Sequence, residues 1–94
     1  MIPNIEWDED KAEKNLRKHS ISFHEAASVF QDENSLMFDD ETHSIAEERF
    51  IDIGRSTHGN TLIVIYTERE GIIRIISCRK ATRAERKIYE TQSN

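Results

Sequence analysis

The chain is poor in the residues that break or staple a fold: one cysteine, one proline and three glycines in 94 residues. A single cysteine excludes an intrachain disulfide. Cys78 also stands inside an apolar stretch, which reads as a small buried hydrophobe in a reducing cytoplasm and not as a catalytic thiol. So few chain breakers argue for continuous secondary structure and against a linker or low-complexity tract. No apolar run approaches the roughly 18 residues of a membrane span. The start, Met1-Ile-Pro-Asn-Ile-Glu-Trp7, lacks the basic and apolar regions of a secretory signal. The expectation is a single soluble, cytoplasmic domain over residues 1–94. With 36% hydrophobic residues its core is modest, and burial against a partner would help it.

Familiar catalytic signatures are missing too. There is no glycine-rich phosphate loop, no paired-cysteine zinc pattern and no Gly-x-Ser-x-Gly elbow. His19, His24, His43 and His58 have no ligand spacing, and Glu47 and Glu48, adjacent on a strand, would point to opposite faces. No metal or other cofactor is expected.

What the chain does have is charge, unevenly placed. Residues 1–54 hold five Lys/Arg against fourteen Asp/Glu (−9) and residues 55–94 eight against four (+4), which together give the net −5. Such a split is either plain solvated surface or a segregated face that a phosphate backbone would find.

Hydrophobic spacing and turn signals order the elements. Ile5-Glu6-Trp7 alternates as a short edge strand, and Asp8-Glu-Asp10 suits the positive end of a helix from about Asp10 to Lys18. On that helix Ala12 and Leu16 mark the apolar side, while Lys11, Asn15 and Lys18 share a polar wedge. Ser22-Phe-His-Glu25 reads as a capping box for a second helix to about Gln31, with Phe23, Ala26, Ala27 and Phe30 on its buried stripe. Ser35–Asp39 is a short strand candidate and Asp40–Ala46 a loop. Strands over Glu48–Ser56, Thr61–Glu68 and Ile72–Arg79, with short Gly-containing connections, form an antiparallel meander. Leu62–Tyr66 is apolar enough for a central strand. Thr82-Arg-Ala-Glu85 is a second capping box, opening a third helix to about Thr91. The fold class is therefore α+β: an antiparallel sheet of a short N-terminal strand and a three-strand meander, with two N-terminal helices and one C-terminal helix.

Two arginines interrupt the last strand. Period two groups Arg74 with Ile72, Ile76 and Cys78, and Arg79 with Ile73, Ile75 and Ser77, so the two face opposite ways. Arg74 is expected to pair with a carboxylate such as Glu48 or Asp52. Arg79 ends the strand just before the free amides of the third helix, where it could form an anion site with Lys80 and Arg83. The rival reading makes Arg79 structural and Lys80, Arg83, Arg86 and Lys87 a solvated helix face. Lys18 and His19 close the first helix, where positive charge complements the dipole. Histidine can also act as a general acid or base near neutral pH.

In order along the chain, Glu6-Trp7-Asp8 with Lys11 and Asn15, Lys18-His19, then Phe23, Ala26 and Phe30 are followed by Glu47-Glu48-Arg49-Phe50 before Gly54. Val64-Ile-Tyr66 and Arg74-Ile-Ile-Ser77, with Arg79, Ala81, Glu85 and Tyr89, complete the set. This ordered set, over nearly the whole chain, resembles the BrnT-type ribonuclease toxins of type II toxin-antitoxin modules. Two positions depart from the family pattern: Cys78 replaces a smaller residue, and Ser20 stands where Gly commonly follows Lys-His.

The resemblance implies a RelE-like fold and a metal-independent endoribonuclease that cuts RNA and arrests growth. It also implies neutralisation by a DNA-binding, BrnA-type antitoxin, with a homodimer or a hetero-tetramer with antitoxin as possible assemblies. The 2′-OH of RNA would attack the adjacent phosphate, which calls for a base, a cationic stabiliser and an acid. His19 or Glu48 would be the base, Arg49 and Arg79 would hold the phosphoryl oxygens, and Lys18 would assist the leaving group or substrate. Arg74, Lys80 and Arg83 would bind RNA. The alternative is a non-catalytic module that grips nucleic acid or protein, favoured if the arginines are committed to carboxylate pairs with no accessible proton-transfer group beside them.

Overall fold

Asp8 opens the first helix as expected: its side chain accepts from the Asp10 N–H at 3.0 Å. The computed structural model describes residues 4–43 and 47–92, with strand β1 at Asn4–Trp7 and helix α1 at Glu9–His19. Acidic Glu9 and Asp10 sit in the first turn of α1 and Arg17, Lys18 and His19 in the last, each complementing the dipole. Ser20 ends the helix in the left-handed region (φ 59°), its N–H donating to the Leu16 carbonyl at 2.9 Å. A serine thus fills a position that favours glycine.

Helix α2 covers Phe23–Ser28 and continues as a 3-10 turn over Val29–Gln31. Ser22 caps it by accepting from the Glu25 N–H at 3.0 Å. The reciprocal half of the capping box does not form, because the Glu25 carboxylate turns inward to the hairpin at Ser56–Asn60. It accepts there from Ser56 Oγ at 2.6 Å and Asn60 Nδ2 at 2.8 Å, and pairs with His58.

The remaining elements are β2 (Leu36–Asp39), a 3-10 turn at Glu41–His43, β3 (Phe50–Arg55), β4 (Thr61–Arg69), β5 (Ile72–Lys80) and α3 (Arg83–Gln92). The loop expected over Asp40–Ala46 therefore begins with a helical turn, and its residues 44–46 lie outside those described.

The five strands form one sheet in the order β1-β5-β4-β3-β2. The sheet is mixed, which corrects the antiparallel expectation: β2 to β5 alternate in direction, but β1 runs parallel to β5. Short hairpins impose antiparallel pairing on β3, β4 and β5. The strands β1 and β5 are separated by the rest of the chain, so no turn length constrains their direction.

Core residues line both sides of the sheet. One face, under α1 and α2, buries Ile21, Phe23, Ala26, Val29, Leu62, Val64, Tyr66, Ile75 and Cys78. The other, under α3, buries Ile53, Ile63, Ala81 and Tyr89. Gly54 is needed between β3 and the 3-10 turn, since a Cβ there would lie 2.7 Å from Val29 Cγ1.

A bulge in β5 sets the orientation of the arginines. Ile65 pairs with Ser77 but Tyr66 with Ile75, so Ile76 is an extra residue. The extra residue reverses the alternation beyond it. Arg74 lies opposite Thr67 and Arg79 opposite Ile63, and Ile63, Ile65 and Thr67 share one face of β4. Both arginines therefore stand on the α3 face, which corrects the expectation that they face opposite ways.

Candidate functional site

The α3 face is covered at two places. At one corner α3 packs over Ile53 and Ile63, and Tyr89 donates from its hydroxyl to Asp32 Oδ2 at 2.6 Å. Near the far end of β4 the main chain at Glu48 crosses the sheet, its carbonyl accepting from Thr67 Oγ1 at 2.7 Å. Part of the face is an open groove of about 430 Å³ lined by Phe38, Ile51, Ile65, Arg79, Glu85 and Ile88, among others.

Arg79 forms one wall of the groove. Its Nη1 and Nη2 donate end-on to Glu85 Oε1 and Oε2 at 2.7 and 2.9 Å, and Nη1 also reaches the Lys80 carbonyl at 3.3 Å. Glu85 Oε1 accepts from the Thr82 N–H at 2.8 Å, while Thr82 Oγ1 accepts from the Glu85 N–H at 3.2 Å. The capping box of α3 is thus complete. Its carboxylate fills the anion position that the sequence assigned to an external ligand. Arg79 and the Thr82 donors hold Glu85 down at about 2, and Glu85 in turn raises Arg79. A guanidinium has five N–H donors. The side edge of Arg79, Nε–H with the outer Nη2–H, has no partner among the described residues, so a second planar oxyanion could still dock bidentately. Lys80 ends the strand and Arg83 begins α3, both exposed.

A second cationic cluster lies toward the other end of β5. Arg74 pairs with Glu6, not with Glu48 or Asp52, because parallel pairing sets Glu6 of β1 beside it. Arg69 pairs with Glu47, and Arg49 and Lys11 lie close enough to help lower that carboxylate. Arg69, in the hairpin before Gly71, was not singled out from the sequence. Only the register reveals that it belongs to this cluster. Arg74 and Arg79 are about 15 Å apart along the strand, too far to hold one phosphate between them.

Lys18 and His19 reach the neighbourhood by another route. The strand β1 pairs with β5 only as far as Ile75, leaving the edge of Ser77–Lys80 without a strand partner on that side among the described residues. Asn15 takes the place of a strand there: it accepts from the Cys78 N–H at 3.1 Å and donates to the Cys78 carbonyl at 2.9 Å and the Ile21 carbonyl at 3.1 Å. The wedge of Lys11, Asn15 and Lys18 is therefore centred on a buried contact, while Leu16, expected in the core, is 49% exposed. Lys18 and His19 follow Asn15 at i+3 and i+4, so they share its side of the helix. Neither makes an ion pair or hydrogen bond with Arg79 or Glu48. Glu48, by its contact to Thr67, belongs to the Arg74 end.

On the reverse face, Asp52 is buried with Oδ1 lacking a hydrogen-bond partner. Burial raises its carboxyl to about 7, opposed by the Ser35 hydroxyl and reinforced by Asp32. Burial also pushes the Cys78 thiol up to about 12, consistent with an inert core thiol.

The family described as the ribonuclease toxin, BrnT, of type II toxin-antitoxin system matches residues 7–85. The fold is similar to that of the Brucella abortus ribonuclease toxin BrnT, solved at 1.1 Å, with a TM-score of 0.68 and 23% identity over 86% of this chain and 99% of that one. No curated protein matches the sequence.

Proposed function

The chain belongs to the BrnT family of type II ribonuclease toxins, and from that premise we propose that RNA is cut at Arg79, with Lys18 and His19 approaching it from the end of α1. Membership in this family favours the enzyme over the non-catalytic module, although the three Arg–Glu pairs alone would suit either. The observation that carries the assignment is Arg79 itself: Glu85 fixes its end-on fork while its side edge stays open for a phosphate.

In this reading His19 takes the proton of the ribose 2′-OH as that oxygen attacks the adjacent phosphorus. Arg79 stabilises the charge growing on the phosphoryl oxygens, and Lys18 supplies a proton to the departing 5′ oxygen. The products are a 2′,3′-cyclic phosphate and a 5′-hydroxyl, and no step requires a metal. His19 is preferred to Glu48 as base because Asn15 holds its helix beside Cys78, whereas Glu48 stands at the opposite end of the face. Arg49, with Arg74, then binds flanking nucleotides, as do Lys80 and Arg83 on the Arg79 side. We read the neutralising partner as a BrnA-type antitoxin, the architecture as RelE-like, and the working compartment as the cytoplasm.

Induction of the chain in bacteria, beside Arg79→Ala and His19→Ala, tests the assignment through growth and total RNA integrity. The expected result is arrest and RNA cleavage by the wild type alone. A folded His19→Ala that remains fully toxic removes the base assignment, and a fully toxic Arg79→Ala removes the site.

A further inference from the structure

We propose that the outer edge of β2 and the apolar groove beside it form the docking surface for the antitoxin. The segment it receives is extended, pairs with β2 as an added strand, and carries apolar and basic side chains. This rests on the reading of Arg79 as the catalytic cation, because the groove that begins at β2 ends at Arg79.

Three observations select the surface. First, β2 terminates the sheet, so one side of its backbone has no strand partner among the described residues. Proteins usually blunt such an edge with charge or cover. Second, of the four exposed large hydrophobics among the described residues, Phe38 of β2 and Ile88 of α3 line the groove, and Met37 stands on the other face of the same edge strand. Third, the exposed charge leaving β2 is acidic: Asp39 and Glu41 flank the buried Asp40, and no Lys or Arg occurs between Lys18 and Arg49.

That acidity chooses the occupant. It repels an RNA backbone, and a second copy of the same net-acidic edge offers it no complementary charge. A basic strand meets neither obstacle. Strand addition would supply main-chain hydrogen bonds for affinity, and the groove would take an apolar anchor. An anchor seated between Phe38 and Ile88 would point toward Arg79 and close the groove to substrate. Neutralisation would then follow from occupancy alone.

The test measures affinity between the purified chain and the antitoxin of its own module, together with growth during co-expression. Phe38→Asp, Ile88→Asp and the double variant Asp39→Lys/Glu41→Lys should each bind the antitoxin at least roughly tenfold more weakly. The charge-reversal double, whose residues lie outside the groove lining, should arrest growth like the wild type yet escape neutralisation. Thermal unfolding confirms the fold, and the charge-reversal double, confined to exposed residues, decides the matter if an apolar variant is unstable. Unchanged antitoxin affinity in the folded variants overturns the proposal. So does a dimer that Phe38→Asp dissociates while antitoxin binding persists, or RNA binding lost in place of antitoxin binding. A wild type without toxicity removes the catalytic reading, while the affinity measurement still judges the docking surface.

Discussion

The two faces of the sheet are built differently. Under α1 and α2 the wall is closed: Leu62, Val64, Ile75 and Cys78 are at most 1% exposed. Its polar groups are tied to backbone or loops, as in the Asn15 contact to Cys78 and the Glu25 contacts to the β3–β4 hairpin. The α3 face is only partly covered, and its arginines are half-exposed or exposed, each held by a glutamate: Arg69 by Glu47, Arg74 by Glu6 and Arg79 by Glu85. A chain of 94 residues with a modest core can close one face with helices and leave the other for recognition.

The comparison is sharpened most by Leu62→Ala on the closed face, expected to cost about 2–5 kcal/mol of stability because a fully buried side chain leaves a cavity. Denaturant unfolding measures this, and cleavage per folded molecule should be unchanged. A comparable loss of activity in the folded fraction would mean that the two faces are not separable.

Asp52→Asn comes next and acts on the same face with opposite sign. The carboxyl is raised from 3.8 to about 7 in the fold, so the native state holds a proton that the unfolded chain releases. Stability from this group is therefore fully present below about pH 4, declines as pH rises to about 7, and then levels off. Replacing it by Asn should leave stability near pH 4 almost unchanged and raise it by roughly 2–4 kcal/mol above pH 7, within the ~1.4 kcal/mol per unit that links pKa to stability. Unfolding curves for both proteins between pH 4 and 8 read the difference, and parallel curves would place the proton elsewhere.

The smallest effect belongs to the open face. Arg74→Ala loses a half-exposed pair with Glu6, worth about 1 kcal/mol or less to the fold. It should weaken RNA binding severalfold and lower the salt dependence of binding by about one phosphate contact. An unchanged salt slope would confine the RNA surface to the Arg79 end.

Local chemistry was readable in advance. Asp8, Ser22 and Thr82 announced the helix starts because a cap is a contact between near neighbours. The hairpins followed from short Gly-containing connections, and the buried β4 from its run of Leu62 to Tyr66. The α1 wedge was misjudged because Asn15 resembles a surface residue until β1 is seen to stop at Ile75, exposing Cys78 to it. Glu85 was noticed as a cap but not as the occupant of the Arg79 fork. That role needs the end of β5 and the first turn of α3 placed together.

The sequence by itself determined the elements, the two-sided core of β4, the residues that cap the helix starts and a family resemblance now matched over residues 7–85. The tertiary structure decided which side chains share a surface. One extra residue, Ile76, turned Arg74 and Arg79 to the same face, and the parallel β1 gave Arg74 its carboxylate partner. The physical reason is range. Caps and periodicity act over a few residues, whereas a bulge and the pairing of distant strands are fixed by contacts along the whole sheet, and a shift of one residue reverses every side chain beyond it.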